Sequence, residues 1–335
     1  MFRPQLVPWR IHNSVRRLSV LALAASWLLI LSSAADAFDV IQITDNSTDD
    51  GLPDISGSNV VWMGCDGDDC FVGDGDAEIY FWDGATITQI TDNSTHDERP
   101  AISGSNVVWQ HCEAGTPPYC DASAYEIYLW DGVTTTNITN NSGNEYWPDI
   151  SGSKVVWNSH VGPPSLNDIF LWDGATTTRI TDNSVSDIYP AISGSNVVWF
   201  AQDDQVGSDH EIYFWGGATV TQLTNNSTDD TFPSISGSNV VWGGSDGNDG
   251  EIYLWDGATS TQITDNDTYD WWPAISGSNV VWMGCDGGTT QDCFGGDYEI
   301  YMTTITGPVS APSISFGGVA LLAGLILGVV AWARH

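Results

Sequence analysis

Short apolar runs, each four to six residues long, follow one another along most of this chain. In one stretch they occupy Pro100–Ser103, Asn106–Trp109, Glu126–Trp130 and Thr134–Thr139. The runs are rich in β-branched and aromatic residues, and Gly, Asp, Asn and Ser separate them, which is typical of strands joined by tight turns. Because the region shows no helical periodicity, the pattern predicts four short strands.

The same pattern occurs six times. The phrase Ile-Ser-Gly-Ser-(Asn/Lys)-Val-Val-Trp recurs at steps of 40 to 48 residues, ending at Trp62, Trp109, Trp157, Trp199, Trp242 and Trp282. Four-stranded units at this period are typical of β-propeller blades, which bury their faces by packing on neighbouring units. We therefore predict an all-β fold, a six-bladed propeller of four-stranded antiparallel blades, over residues 38–305. A second set of repeated tryptophans should pack between blades: Trp82, Trp130, Trp172, Trp215 and Trp255.

The two ends of the repeat array complement each other. Val40–Thr44 has the sequence of a fourth strand without the three that should precede it, and Glu299–Met302 that of a third strand without the usual continuation. Pairing the two would remove an open sheet edge. The sequence therefore predicts that an N-terminal strand within residues 38–44 closes the last blade.

The repeat resembles that of TolB-like propellers. The resemblance rests on the order Ile-Thr-Asp-Asn-Ser-Thr, Pro-x-Ile-Ser-Gly, Val-Val-Trp and Glu-Ile-Tyr-x-Trp-Asp, and it covers residues 38 to about 304. The chain has Ser-Gly-Ser-Asn where that family usually has Ser-Pro-Asp-Gly, and it lacks the separate α/β domain of TolB. The resemblance implies the fold but not TolB's envelope partners, because propellers host unrelated functions.

The N-terminal flank has the layout of a secretory signal peptide. Residues 1–37 carry a basic segment, an apolar run at Leu18–Leu31 and the tripeptide Ala35-Asp36-Ala37 before Phe38. This order predicts export and cleavage before Phe38.

The C-terminal flank predicts a membrane attachment. Residues 306–313 form a Pro-containing linker, and residues 314–335 include the uncharged apolar run Phe316–Trp332, which is about long enough to span a bilayer as one transmembrane helix. The tail also resembles PEP-CTERM-type sorting signals, although it has no Pro-Glu-Pro. A retained anchor and a cleaved sorting tail both remain open, and either places the propeller at the cell envelope or surface.

The cysteines agree with export. They fall in three local pairs within the predicted loops between second and third strands: Cys65 and Cys70, Cys112 and Cys120, Cys285 and Cys293. An even number of closely paired cysteines in an exported chain predicts three disulfides, whereas two thiolates alone make a poor zinc site.

Negative charge dominates the composition. The chain has 43 acidic residues against 8 Lys and Arg, for a formal net charge of −35. Such a surface repels nucleic acid, so we expect no nucleic-acid partner. The acids act either as solvated turn residues or as ligands of calcium, which prefers carboxylates in Gly-containing loops. The candidate calcium ligands are Asp66, Asp68, Asp69, Asp74 and Asp76, and Asp246–Gly250 has a similar composition.

The residue before the repeated proline varies more than its surroundings. It is Leu52, Arg99, Trp147, Tyr189, Phe232 or Trp272, at the start of the innermost strand and hence near the central channel. Four of these six are aromatic. With Asp54 and Asp149 nearby, five of them (Arg99, Trp147, Tyr189, Phe232 and Trp272) form a candidate site for stacking a sugar or a peptide side chain. Alternatively, the aromatic rings plug the channel by packing on one another.

Catalytic motifs are scarce. Gly243–Gly247 matches Gly-x-Ser-x-Gly only formally, and the histidines between residues 38 and 305 are isolated in non-equivalent loops. We therefore favour a non-enzymatic binding module for a protein or glycan ligand on the acidic face, with calcium as the one candidate cofactor. The alternatives are a metal-dependent enzyme of the lyase or lactonase type with acids in the channel, and a purely structural surface protein.

Overall fold

A computed structural model describes residues 42–66, 76–113, 115–116, 119–120, 125–161, 166–202, 209–286 and 297–305. These residues form an all-β, six-bladed propeller of antiparallel blades. Five blades have four strands, and the sixth has three strands among the described residues. The predicted fold class is therefore confirmed, whereas the predicted signal peptide, linker and C-terminal anchor lie outside the described residues.

The strands follow the repeat. Blades 1 to 3 comprise β1 (Asp50–Ser56), β2 (Asn59–Asp66), β3 (Asp76–Trp82), β4 (Ile87–Gln89), β5 (Asp97–Ser103), β6 (Asn106–Cys112), β7 (Gly115–Thr116), β8 (Tyr119–Cys120), β9 (Tyr125–Trp130), β10 (Thr135–Asn137), β11 (Glu145–Ser151), β12 (Lys154–Val161), β13 (Leu166–Trp172) and β14 (Thr177–Arg179). Blades 4 to 6 comprise β15 (Asp187–Ser193), β16 (Asn196–Gln202), β17 (His210–Trp215), β18 (Val220–Gln222), β19 (Thr231–Ser236), β20 (Asn239–Ser245), β21 (Gly250–Trp255), β22 (Ser260–Gln262), β23 (Asp270–Ser276), β24 (Asn279–Asp286) and β25 (Asp297–Thr304). Within the described ranges, no helix is long and apolar enough to cross a membrane.

Several strand boundaries of this unit differ from the sequence prediction, and the second strand, for example, continues past Trp109 to Cys112. The first strand of blade 2 begins at Asp97 instead of Pro100, because Asp97 and Glu98 pair with β6 on the far side of a β-bulge. The fourth strand ends at Asn137 instead of Thr139. There the Thr139 hydroxyl accepts a hydrogen bond from the Ile127 amide at 2.9 Å, so a side chain replaces the backbone acceptor that a longer strand would supply.

Apolar residues fill the spaces between consecutive blades. Between blades 2 and 3, for example, Val108 and Ile127 pack against Val155 and Trp157. Trp130, Trp172, Trp215 and Trp255 pack against such clusters, as predicted for interblade residues. Trp82, the equivalent residue of blade 1, belongs to none of the clusters formed by the described residues.

A repeated polar network fixes the start of each first strand. The indole of Trp199 donates to Asp187 at 2.6 Å, and the Asn183 amide donates to the other oxygen of the same carboxylate at 2.8 Å. The same indole bond recurs in four other blades, as Trp62 to Asp50, Trp109 to Asp97, Trp242 to Asp230 and Trp282 to Asp270. The repeated Asn and Asp residues therefore build the scaffold, because they satisfy buried polar groups in the same way in blade after blade.

The predicted closing strand remains a prediction. In complete blades the fourth strand covers positions such as Ile87–Gln89, and the equivalent N-terminal residues are 40–42. Residues 40 and 41 lie outside the described range, and residues 42–44 are not in a strand. Ile90 and Thr91, the counterparts of Ile43 and Thr44 in blade 1, are not in a strand either.

The disulfide prediction is confirmed where it can be examined. Cys112 and Cys120 are bonded across the β7–β8 hairpin. Cys65 and Cys285 are also disulfide-bonded, but their predicted partners, Cys70 and Cys293, lie outside the described residues.

Candidate functional site

The six pre-proline residues share an unusual backbone conformation. Their φ angles are all positive, between 48° and 55°, at Leu52, Arg99, Trp147, Tyr189, Phe232 and Trp272. Residues with side chains rarely occupy this left-handed region, and each such position costs on the order of 1–3 kcal/mol. Each one lies at the β-bulge between the first two strands of its blade. The bulge turns all six side chains toward the channel.

Together these side chains and the prolines that follow them surround one cavity, which we call the channel mouth. Its volume is about 400 Å³. The lining residues are Leu52, Pro53, Arg99, Pro100, Trp147, Pro148, Tyr189, Pro190, Phe232, Pro233, Trp272 and Pro273. The sequence-based hypothesis that the variable position surrounds the channel is thus consistent with the geometry.

The side chains of the mouth touch one another in sequence order. The Arg99 guanidinium carbon lies 3.4 Å from the centre of the Trp147 ring, which is a close cation–π contact. Trp147 and Tyr189 have ring centroids 3.9 Å apart, Tyr189 and Phe232 5.1 Å, and Phe232 and Trp272 5.5 Å. The rings therefore pack on one another, as the plug interpretation requires. They also leave an open cavity, with Trp272 57% exposed at its rim.

Arg99 differs from the other cations of the propeller in its partners. Arg179 forms salt bridges with Asp168 at 2.6 Å and Asp182 at 2.9 Å, and Lys154 donates to Ser195 at 2.6 Å. Among the described residues, no carboxylate forms a salt bridge with Arg99. Its guanidinium is thus the one positive group of the mouth and is held in place by an aromatic face.

The two aspartates predicted beside the mouth join blades. Asp54 accepts hydrogen bonds from the amides of Ile55 and Ile102, both at 2.8 Å, and Asp149 from those of Ile150 at 2.8 Å and Ile192 at 2.7 Å. Burial raises the pKa of Asp54, and burial raises the pKa of Asp149 to about 7. Neither aspartate lines the channel mouth.

Two supporting residues were missed by the sequence reasoning. The Gln110 side chain accepts a hydrogen bond from the Trp147 amide at 3.2 Å and donates to Glu98 at 2.8 Å, so it fixes the strained backbone. Phe200 stacks beneath Tyr189, with centroids 5.2 Å apart. Both follow the Val-Val-Trp phrase directly, at a position that reads Met63, Gln110, Asn158, Phe200, Gly243 and Met283. The variability of this position was the signal that could have identified them.

Only part of the predicted calcium loop can be placed. The backbone of Asp66 pairs with that of Asp76 at the ends of β2 and β3, and Asp76 Oδ1 lies 4.0 Å from His96 Nδ1. Asp68, Asp69 and Asp74 lie outside the described residues.

The fold is similar to propeller domains of solved structures. No protein-family model and no curated protein matches the chain. It is similar to an acylaminoacyl peptidase in complex with Z-Gly-Gly-Phe-chloromethyl ketone, with 13% identity and a TM-score of 0.54 over 76% of this chain and 43% of that chain. The acylaminoacyl peptidase of Pyrococcus horikoshii is 12% identical, with a TM-score of 0.51 over 76% of this chain and 44% of that chain. TolB from Acinetobacter baumannii is 18% identical, with a TM-score of 0.48 over 68% of this chain and 57% of that chain.

The chain thus spans less than half the length of the two peptidases. At these identities the similarity establishes the propeller fold, and TolB structures are among its neighbours.

Proposed function

We propose that this protein is a non-enzymatic binding module, which holds one end of a protein or glycan ligand in the channel mouth. The observation that carries this proposal is Arg99, a cation that stacks on Trp147 without a carboxylate partner among the described residues. In a chain with a net charge of −35, a guanidinium that forms no salt bridge among the described residues is available to an external anion.

The surrounding rings define the rest of the ligand. Trp147, Tyr189, Phe232 and Trp272 offer apolar faces beside the guanidinium, which suits a sugar ring or an aromatic side chain. A ligand that combines a flat apolar face with a carboxylate matches both features. A peptide ending in an aromatic residue and an oligosaccharide ending in a uronic acid both have this chemistry.

The composition of the mouth favours binding over catalysis. None of its twelve lining residues is Asp, Glu or His. A lyase or lactonase that used the channel would need acid–base or metal-ligating groups there.

The cellular location is part of the proposal. The Cys112–Cys120 disulfide supports an oxidising compartment outside the cytoplasm. Export and tethering at the cell envelope rest on the sequence patterns of residues 1–37 and 314–335.

The test is a titration of the full-length protein followed by tryptophan fluorescence. The probes are N-acetyl-phenylalanine and its amide, and a glucuronic-acid oligosaccharide and its neutral glucose counterpart. We expect at least one acid to bind at least about tenfold more tightly than its neutral analogue, since a charge-assisted hydrogen bond contributes about 1.5–3 kcal/mol.

The matched variants are Arg99→Gln and Lys154→Gln, which remove the same charge. Arg99→Gln should abolish the preference for the acid, and Lys154→Gln should preserve it. Equal binding of both acids and their neutral analogues by the unsubstituted protein, or a preference that persists in Arg99→Gln, would rule out this role for the mouth.

A further inference from the structure

The loop between β20 and β21 in blade 5 brings three carboxylates together. Asp246, Asp249 and Glu251 each offer one oxygen, and these oxygens all lie within 4.8 Å of one another. Two oxygens on opposite sides of a calcium ion, bonded at 2.3–2.6 Å, are about 4.6–5.2 Å apart. The spacing is therefore that of ligands around a single ion.

Asp249 is a buried carboxylate without a partner. Only 4% of the residue is exposed, and neither of its side-chain oxygens has a hydrogen-bond partner. A buried ionised group that lacks a compensating partner is strongly unfavourable, and structures normally supply a counter-charge or an ion. Among the described residues, no Lys, Arg or His forms a salt bridge with Asp246, Asp249 or Glu251.

The two neighbouring acids are held by the protein. The Asp246 carboxylate accepts hydrogen bonds from the amides of Asn248 at 2.7 Å and Asp249 at 3.3 Å. Glu251 accepts from the Asn266 amide at 3.1 Å and from the Thr264 hydroxyl. Each of these acids is oriented by donors and still has free lone pairs, so both are preorganised as ligands.

The backbone fixes the loop against blade 6. A side chain at Gly250 would come within 2.8 Å of the Tyr269 ring and 3.1 Å of the Asp270 carbonyl oxygen. Glycine therefore allows the loop to lie directly on the next blade. This contact positions Asp249 beneath the surface and close to Glu251.

The electrostatic surroundings are uniformly negative. Burial, followed by repulsion from Asp246, Asp267, Asp270 and Asp265, raises the pKa of Asp249. A bound cation would offset both effects, because it replaces lost hydration and attracts all of these acids.

We propose that Asp246, Asp249 and Glu251 form a binding site for one divalent cation of calcium's class, at the junction of blades 5 and 6. Water or backbone carbonyls would complete the six to eight oxygen ligands that calcium takes. None of these three residues lines the channel mouth. It would stabilise the contact between the two blades.

The signal for this site lay in the repeat. Asp-x-Glu stands at the start of the third strand at Asp76–Glu78, Asp209–Glu211, Asp249–Glu251 and Asp297–Glu299. Blade 5 has a further acid, Asp246, three residues earlier, and its loop is the one of this kind that is described throughout.

The first test is a calcium titration of the full-length protein by calorimetry at fixed ionic strength. Asp249→Asn removes the unpartnered charge while keeping the side-chain shape. The matched control is Asp131→Asn, which removes the same charge from an exposed turn whose acceptor the asparagine oxygen can replace. We expect Asp249→Asn to weaken one equivalent of calcium binding at least about tenfold, since ligand charge sets affinity in such sites, and Asp131→Asn to leave it unchanged.

Thermal unfolding provides a second test, because Asp249→Asn should raise stability in EDTA but reduce the stabilisation that calcium gives. In EDTA, Asp249→Asn should unfold at a higher temperature than the unsubstituted protein, because it lacks the buried charge. With calcium, the unsubstituted protein should gain stability by ligand binding and the variant should gain less. Matched sodium should not reproduce the gain.

Three results would overturn the proposal: no calcium response in the unsubstituted protein, the same response in Asp249→Asn, or an equal loss in Asp131→Asn. If Asp249→Asn does not fold, Asp246→Asn replaces it. Asp246 is exposed and the asparagine oxygen can still accept the turn hydrogen bonds, and the same loss of one calcium equivalent is expected.

Discussion

The junction between blades 6 and 1 differs from the five junctions between consecutive blades. In blade 4, Ile212 is fully buried against blade 5, whereas the equivalent Ile300 of blade 6 is 75% exposed. On the facing side, Ile150 of blade 3 is 5% exposed, and the equivalent Ile55 of blade 1 is 64% exposed. The same side chains thus occupy opposite environments.

Hydrogen bonds show the same contrast. At five junctions a serine hydroxyl accepts from a glycine amide of the next blade at 2.8–2.9 Å, in the pairs Ser56–Gly104, Ser103–Gly152, Ser151–Gly194, Ser193–Gly237 and Ser236–Gly277. Among the described residues, no bond joins Ser276 of blade 6 to Gly57 of blade 1. Each repeat therefore specifies a surface that only a neighbouring blade can cover, as in other repeat proteins.

The largest expected difference between the junctions concerns apolar burial. Ile212→Ala should lower the free energy of unfolding by about 2–5 kcal/mol, because it opens a cavity in a packed face. Ile300→Ala should change it by less than about 0.5 kcal/mol, since the side chain is exposed. Chemical denaturation of both variants measures the contrast. Equal losses would show that blades 6 and 1 pack together in solution as closely as the others.

The next largest expected effect is a dependence of folding stability on pH, which comes from buried carboxylates of blades 4 and 5. Burial raises the pKa of Asp187 and of Asp230 to about 6, above the ordinary 3.8. The folded protein therefore holds more protons than the unfolded chain between these values. Its stability should be greatest below about pH 4 for these two groups, and it should fall as the pH rises through 6, on the order of 2 kcal/mol per group.

Denaturation midpoints at pH 5 and pH 8 test this sign. The double variant Asp187→Asn/Asp230→Asn should show a smaller difference between the two midpoints. An unsubstituted protein that is more stable at pH 8 would contradict the assignment of these two carboxylates as destabilising when charged.

The smallest expected effect tests the serine–glycine bonds. Ser193→Ala should cost about 0.5–1.5 kcal/mol, the net contribution of one hydrogen bond. Ser276→Ala is its matched control, because it removes the same hydroxyl at the junction without the bond, and it should be nearly neutral. A comparable cost in Ser276→Ala would reveal a partner for that hydroxyl at the sixth junction.

Much of the fold could be predicted from the sequence. Val-Val-Trp and Glu-Ile-Tyr-x-Trp predicted the second and third strands correctly, because short runs with apolar residues on both faces are typical of strands buried within a blade. The first strand was predicted too short, because Arg99 and Pro100 interrupt its alternation with a bulge. The exposed faces of Ile55 and Ile300 were not predicted, since a repeat pattern assigns every copy the same environment.

The candidate site was predicted to a similar degree. The variable pre-proline position identified the ring of the mouth, because variation within a fixed scaffold is visible in one sequence. Gln110 and Phe200 lie on the second strands of blades 2 and 4. Their contacts with Trp147 and Tyr189 depend on the positions of folded strands, which a single sequence does not give. The sequence pointed to Asp246–Gly250 only through its similarity to the acidic residues 66–76. It did not indicate that Asp249 is buried without a partner or that Glu251 lies beside it, because both are properties of the folded loop.

The six positive-φ bulges have a consequence for how this protein can change. Each bulge sets the direction of its side chain through the backbone, and Leu, Arg, Trp, Tyr and Phe all adopt nearly the same φ there. The backbone conformation at each position therefore does not depend on which of these side chains occupies it. Single substitutions at these positions therefore change the lining of the mouth and its ring contacts while the backbone keeps its course, so new ligand preferences are reachable by point mutation without rebuilding the scaffold.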